Sequence, residues 1–329
     1  MAWPSMSLTV IRPSHSEEGA AEPAGALAEI AARIEALKAE KDIVVLAHNY
    51  QYPEIQAVAD IRGDSLELSV AATKVPQANI VFCGVDFMAE TAKILNPAKR
   101  VFIPDTKAHC PMAAMTDVEG LLLAKERYGD AAIVAYVNTR ADVKAIADVC
   151  CTSANAVNVC ENIEAKTIIF TPDQNLGQYV QRKLPGKRIV IWPGYCHVHQ
   201  NMTPEQLVLL KREHPGAEVL VHPECPPDVI DLADHVFSTS GMLKHCRSSP
   251  REEFIIATER ELTYGLRREN PGKSFYTLPR AICPTHKKIT VRKVLETMET
   301  LTPEVLLDED TIARARGSVD RMVKFARRE

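Results

Sequence analysis

The chain has no sustained run of lysine or arginine; its 39 basic residues are outnumbered by 43 acidic ones, for a formal net charge of −4. Without clustered positive charge, nucleic acid and an anionic membrane are excluded as main partners, and any anionic ligand must be held locally. Also missing is an apolar stretch of the roughly 20 residues that span a bilayer. The first 25 residues, MAWPSMSLTVIRPSHSEEGAAEPAG, lack periodicity and lack the basic start and apolar core of a signal peptide. They read as a mobile tail, 1–25, and a cytoplasmic protein is expected. Its nine cysteines should then be thiols or metal ligands, since a reducing compartment does not sustain structural disulfides. No three of them fall within a few residues of one another, as a radical SAM site requires, and none form the closely spaced pairs of structural zinc sites. The 46% hydrophobic and 25% charged content is that of an ordinary globular chain, long enough for two or three domains.

What the chain does have is one pattern repeated three times, about 87 residues apart, in AHNYQYPEIQAVADIRGDS, AYVNTRADVKAIADVCCTS and VHPECPPDVIDLADHVFST. Counting from His48, Tyr136 and His222, offset +2 holds Tyr50, Asn138 and Glu224, and +6 holds Glu54, Asp142 and Asp228. Offset +11 holds Ala59, Ala147 and Ala233, each followed by Asp, and +17 holds Ser65, Ser153 and Thr239. One cysteine follows each copy at 62, 60 and 61 residues: Cys110, Cys196 and Cys283. Such a period implies a triplicated unit around a shared centre.

Each unit reads as a helix followed by three short apolar strands separated by helical segments. In the second unit the strands are AAIVAYV, TIIFTP and RIVIWPG; in the first DIVVLAH, ANIVFCG and RVFIPD; in the third EVLVHP, EFIIAT and SFYTLP. Near-continuous Val/Ile/Leu runs suit strands buried on both faces of a parallel sheet. Capping boxes at Thr116-x-x-Glu119 and at Thr203-Pro204 with Gln206 mark where the second and third units begin. The expected fold is α/β: three similar three-layer α/β/α sandwich domains with parallel sheets around a pseudo-threefold axis, spanning 26–115, 116–202 and 203–289. The segment 290–329 is expected to form C-terminal helices closing onto the first unit. Ligands in open α/β sheets sit beyond the carboxyl ends of the strands, here facing the axis.

On an extended strand, residues i and i+2 point the same way, so His48/Tyr50, Tyr136/Asn138 and His222/Glu224 should present polar tips at three matching strand ends. A single such residue is usually a satisfied core polar group; three matched pairs argue for a site. The +17 hydroxyls precede helical stretches, where they would serve as N-caps beside anion-binding N–H groups. The acids at +6 are read as favourable to helix dipoles and nothing more. One cysteine per unit supplies three thiolates, which leaves one position open on a tetrahedral metal or one iron of a 4Fe-4S cluster without a protein ligand. Cys83, Cys150, Cys160 and Cys246 read as buried small hydrophobes, while Cys151 and Cys225 adjoin the proposed site and remain alternates.

The strings LAHNYQ, VADIRGDSLELS, FCGVDFMAETAKILNP, YVNTRADVKA, TSANAV, FTPDQNLG, GYCHVH, VHPEC, STSGM and ATERELTYGL closely resemble those of the quinolinate synthase family, over residues 28–302. The resemblance implies a 4Fe-4S cluster on Cys110, Cys196 and Cys283, and condensation of iminoaspartate with dihydroxyacetone phosphate to quinolinate, phosphate and water. An L-aspartate oxidase would supply the iminoaspartate. Ligand-contacting residues carried over are His48, Tyr50, Ser65, Tyr136, Asn138, Ser153, His199, His222, Glu224 and Thr239; His199 comes from the resemblance alone. Glu224 and Tyr50 are acid/base candidates, with His222 and Tyr136 positioning or shuttling protons. His109 before the first ligand cysteine and PTHKK after Cys283 depart from the family pattern and should alter the pocket's rim. TLPRAIC lacks the CxxC pair that some relatives carry, so no redox switch is expected there. Two other readings use the same residues: a three-cysteine zinc or iron hydrolase acting on a sugar phosphate, and a non-catalytic iron–sulfur sensor.

Overall fold

The computed structural model describes residues 23–326, so all but the end of the expected tail lies outside the described residues. The first unit runs α1 (Ala24–Glu40), β1 (Ile43–His48), α2 (Pro53–Val58), β2 (Ile61–Gly63), α3 (Ser65–Ala72), β3 (Asn79–Cys83), α4 (Asp86–Leu95) and β4 (Arg100–Phe102). The second has α5 (Val118–Tyr128), β5 (Ala132–Tyr136), α6 (Ala141–Ile146), β6 (Val149–Cys151), α7 (Ala156–Asn162), β7 (Thr167–Thr171), α8 (Gln174–Lys183) and β8 (Arg188–Ile191). A short α9 (His197–Gln200) leads to α10 (Pro204–Glu213), β9 (Glu218–Val221), α11 (Pro227–Ile230), β10 (His235–Val236), α12 (Thr239–Ser248), β11 (Glu253–Ala257), α13 (Leu262–Glu269) and β12 (Ser274–Thr277). The chain ends in α14 (Val291–Thr300) and α15 (Glu309–Ala326).

Each unit forms its own four-stranded parallel sheet, in the orders β2-β1-β3-β4, β6-β5-β7-β8 and β10-β9-β11-β12. The sequence pattern foretold three strands per unit. The additional one is a two- or three-residue edge strand, too short to carry an apolar run. In every sheet the chain crosses from one side of the first strand to the other, so each first strand ends at a switch point, where a crevice opens in such folds. The strands are buried on both faces. In the third sheet Val219, Val221, Ile255 and Ala257 pack on one side, while Leu220, Phe254, Ile256 and Phe275 pack on the other.

The first two units share one continuous core, joined by α15, whose Ala315, Val319 and Met322 are buried within it. This helix packs on α6, β6 and α4, whereas α14 packs on α1. Of the two expected capping boxes, Thr203 with Gln206 is present at α10. The other is not: Asp117, not Thr116, caps α5 by accepting from the Gly120 N–H at 2.8 Å. Thr116 is instead buried and accepts a hydrogen bond from the Thr171 hydroxyl at 2.8 Å.

A second triplet of acids holds each sheet in register. Asp60, Asp148 and Asp234, the residues after the +11 alanines, immediately precede the edge strands. Their carboxylates accept from the N–H of Val45, Ile133 and Val219 at 2.8, 2.7 and 2.8 Å. In return their own N–H groups donate to the carbonyls of those residues. The partner in each case is a strand backbone, so the same side chain serves three times.

Candidate active site

One cleft is lined by residues of all three units, among them Tyr50, Cys110, Asn138, Cys196, Glu224 and Cys283. His199 and His286 also line it. The polar pairs stand at the carboxyl ends of β1, β5 and β9, but not as alternate residues of one strand. Tyr50, Asn138 and Glu224 lie beyond the strands, in the turns that follow. The turn folds back in two units: the Tyr50 N–H donates to His48 Nδ1 at 3.2 Å, and the Glu224 N–H donates to His222 Nδ1 at 3.4 Å. The extended geometry expected from the sequence is therefore replaced by a turn that locks imidazole and backbone together.

Glu224 is the electrostatic centre. Its Oε2 lies 2.8 Å from His199 Nδ1 and 3.4 Å from His222 Nδ1, and the Tyr136 phenol also favours the charged carboxylate. Burial alone would raise the Glu224 pKa, but the neighbouring His199, together with His222 and Tyr136, brings it down to about 2. Burial pushes His222 and His48 down to about 3, so both rings are neutral at pH 7. Tyr50 and Tyr136 move the other way: burial and then the Glu224 charge hold their phenols protonated. The Tyr50 and Thr258 hydroxyls hydrogen-bond at 2.6 Å, and Thr258 Oγ1 lies 2.9 Å from His199 Nε2.

Of the remaining residues expected in the site, Ser153 lies 3.1 Å from His222 Nε2. Thr239 accepts from Asn49 Nδ2 at 3.4 Å, and His48 stacks on His286 with ring centres 4.9 Å apart. Ser65 is the first residue of α3 and has no tie to this network among the described residues. None of the three +17 hydroxyls is a cap. Asp64 and Ser238 cap α3 and α12 with their side chains, and Asn155 stands at the cap of α7. Ser65 and Thr239 are displaced one position into the first turn, where their hydroxyls are not committed to capping.

The three repeated cysteines open a turn or helix after β4, β8 and β12, and their backbones are held alike. Asp86, Asp173 and Glu259 accept from the N–H of Cys110, Cys196 and Cys283 at 3.2, 3.1 and 3.3 Å. These acids, 87 and 86 residues apart, were readable in FCGVDFMAET, FTPDQNLG and ATERELTYGL, but they fall well beyond the 18-residue window in which the repeat is obvious. Burial raises all three cysteine pKa values, so thiolates form here only beside a strongly positive group, as a metal centre provides. Two buried acceptors facing the same cleft, Glu224 Oε1 and Asn138 Oδ1, have no partner among the described residues. Orphaned buried acceptors are costly unless a ligand supplies donors or positive charge.

Among the described residues, two groups bring three ligand atoms within 4.8 Å of one another: Cys196–His199–Glu224 and Glu218–His235–His245. The three repeated cysteines are not such a group. Sulfurs sharing one tetrahedral zinc at about 2.3 Å would lie within roughly 4 Å of each other, closer than all three stand here. Cys83, Cys150, Cys160 and Cys246 are buried in the cores, as are Cys151 and Cys225. Of the two departures from the family pattern, His286 is part of the cleft wall. His109 instead pairs with Asp86 at 2.7 Å and is largely exposed.

A family model described as quinolinate synthetase A protein matches residues 32–324 of the chain. The chain is 49% identical to a quinolinate synthase of Desulforudis audaxviator over 297 residues, covering 90% of this chain and 98% of that one. It is 48% identical to a quinolinate synthase of Methanoregula boonei over 288 residues, covering 87% and 95% of the two chains. A third relative, the quinolinate synthase of Thermodesulfovibrio yellowstonii, is 48% identical over 289 residues.

Proposed function

The chain belongs to the quinolinate synthetase A family, and from that premise we propose that it condenses iminoaspartate with dihydroxyacetone phosphate, giving quinolinate, phosphate and water. The observation that carries the reading is the convergence, in one cleft, of three half-buried cysteines with an ionised Glu224 and two acceptors that have no partner among the described residues. Cys110, Cys196 and Cys283 would hold a 4Fe-4S cluster, one iron of which is left without a protein ligand. When bound, the cluster supplies a Lewis acid at the wall of the cleft.

The other steps fall to the chain's own groups. Glu224 is anionic at neutral pH with Oε1 unengaged, which suits it to take the proton lost when the new carbon–carbon bond forms. Tyr50, protonated and next to Thr258, is the matching acid for a departing oxygen. Neutral His222, between Glu224 and Ser153, can pass a proton outward; Tyr136 steadies the carboxylate. Ser65, Ser153 and Thr239, near helix starts, would offer their hydroxyls to carboxylate or phosphate. Asn138, His48 and His199 would orient the substrates. A reducing cytoplasm suits nine unpaired cysteines, and an L-aspartate oxidase nearby would deliver an imine that water otherwise hydrolyses.

The test is anaerobic turnover of the iron-loaded protein with both substrates and detection of quinolinate. Cys196→Ala should fold, fail to retain a stable cluster and form no quinolinate; iron-loaded wild type that releases no quinolinate would overturn the reading. The compact Cys196–His199–Glu224 set favours one rival, a single-metal hydrolase. That rival predicts about one zinc per chain and phosphate release from the sugar phosphate alone, against about four irons for the cluster.

A further inference from the structure

We propose that Glu218, His235 and His245 form a second metal site, for a zinc-class divalent cation, remote from the cleft. Glu218 opens β9, whose opposite end leads to His222 and Glu224. His235 opens β10, and His245 lies in the second half of α12. His235 Nε2 is 3.1 Å from Glu218 Oε1, His245 Nε2 is 2.8 Å from Glu218 Oε2, and the three ligand atoms lie within 4.8 Å of one another. Zinc binds imidazole nitrogen and carboxylate oxygen at about 2.0–2.2 Å, so its ligand atoms stand about 3.3 Å apart. The observed separations of 3.1 and 2.8 Å between Glu218 and the two rings lie close to that value.

The rings are also held in place. His235 stacks on Phe237 with centres 5.3 Å apart, and His245 lies 5.1 Å from Phe237 and 4.6 Å from His235. His245 further meets the edge of Phe254 at 6.3 Å, and Ser249 Oγ donates to Glu218 Oε2 at 3.4 Å. His235 is 40% exposed, so an ion can enter from solvent and complete its coordination with water. Two imidazoles and one carboxylate favour zinc, nickel or copper over magnesium or calcium. Binding replaces the two N–H···O bonds with metal bonds, the ring protons moving to the Nδ1 atoms. The ion would tie β9, β10 and α12 together, and α12 begins with Thr239, about 9 Å along the helix from His245.

Cluster-loaded, full-length protein is titrated anaerobically with Zn²⁺ against a chromophoric chelator, comparing wild type with His235→Gln, His245→Gln and the double variant. Wild type should bind one equivalent more than the double variant, each single change should weaken that site at least about tenfold, and the cluster's absorbance should not change. Mg²⁺ should not compete. A double variant that binds Zn²⁺ as tightly as wild type, or a wild type that binds none, overturns the assignment. If the histidine variants do not fold, Glu218→Gln must show the same tenfold loss for the proposal to stand.

Discussion

Two sets of repeat-related residues behave differently, and the contrast explains how a threefold scaffold can serve a substrate without threefold symmetry. Asp60, Asp148 and Asp234 are chemically identical, and each accepts one strand N–H at 2.7–2.8 Å. At the ends of β1, β5 and β9 the corresponding residues diverge into His48, Tyr136 and His222, with Tyr50, Asn138 and Glu224 two positions on. Where the partner is backbone, one side chain fits every unit. Where the partner is a small asymmetric molecule, each unit must offer something different. The cysteines side with the first set, as do Asp86, Asp173 and Glu259, which hold the cysteine N–H groups.

The sharpest way to break this comparison is to neutralise the divergent set at its charged member. Glu224→Gln keeps the volume and can still accept from His199, but it removes the anion that burial, His199 and Tyr136 jointly determine. Turnover should fall by about 10²–10⁴, with iron content unchanged. An unaltered rate in the anaerobic assay would remove Glu224 from the proton transfers and leave its divergence unexplained.

A smaller effect of opposite kind is expected from the uniform set. Asp234→Ala leaves the N–H of Val219, a fully buried residue, without its carboxylate. An orphaned buried donor costs about 1–3 kcal/mol, read as a lower urea midpoint, while turnover per folded molecule should change little. If Asp234→Ala lost activity in proportion to Glu224→Gln at unchanged midpoint, the division between scaffold and site would fail.

Much of this was legible in the sequence because the two sets repeat with little slippage, so the cysteines and strand ends could be found by counting. Parallel sheets followed from the buried strand runs. What escaped was local geometry. Period-two logic holds inside a strand, and Tyr50 and Glu224 lie just past the strand ends, in turns. Cap preferences point equally to neighbouring polar residues: Asp64 outcompetes Ser65 because Glu67 closes a capping box with it, and Ser238 precedes Thr239. His286 lies outside the repeat, so only the fold could bring it against His48.

The mildest expected difference concerns pH. In the folded protein His48 and His222 have pKa values near 3 because burial disfavours their charged forms; unfolded, each returns to about 6.5. Between those values the unfolded chain binds more protons, so stability rises with pH and is lost as pH falls below 6.5. Each ring contributes up to about 1.4 kcal/mol per pH unit. Glu224 adds nothing in the upper part of this window: its value near 2 gives stability that is complete above about 4.3 and lost only below it. His48→Asn retains an acceptor for the Tyr50 N–H and removes one buried ring. From pH 6.5 to 5.5 its urea-derived stability should therefore decline less than that of wild type by about 1 kcal/mol. Parallel pH profiles for the two proteins would mean that His48 takes up its proton in the folded state, and that the first strand end is wetter than its burial indicates.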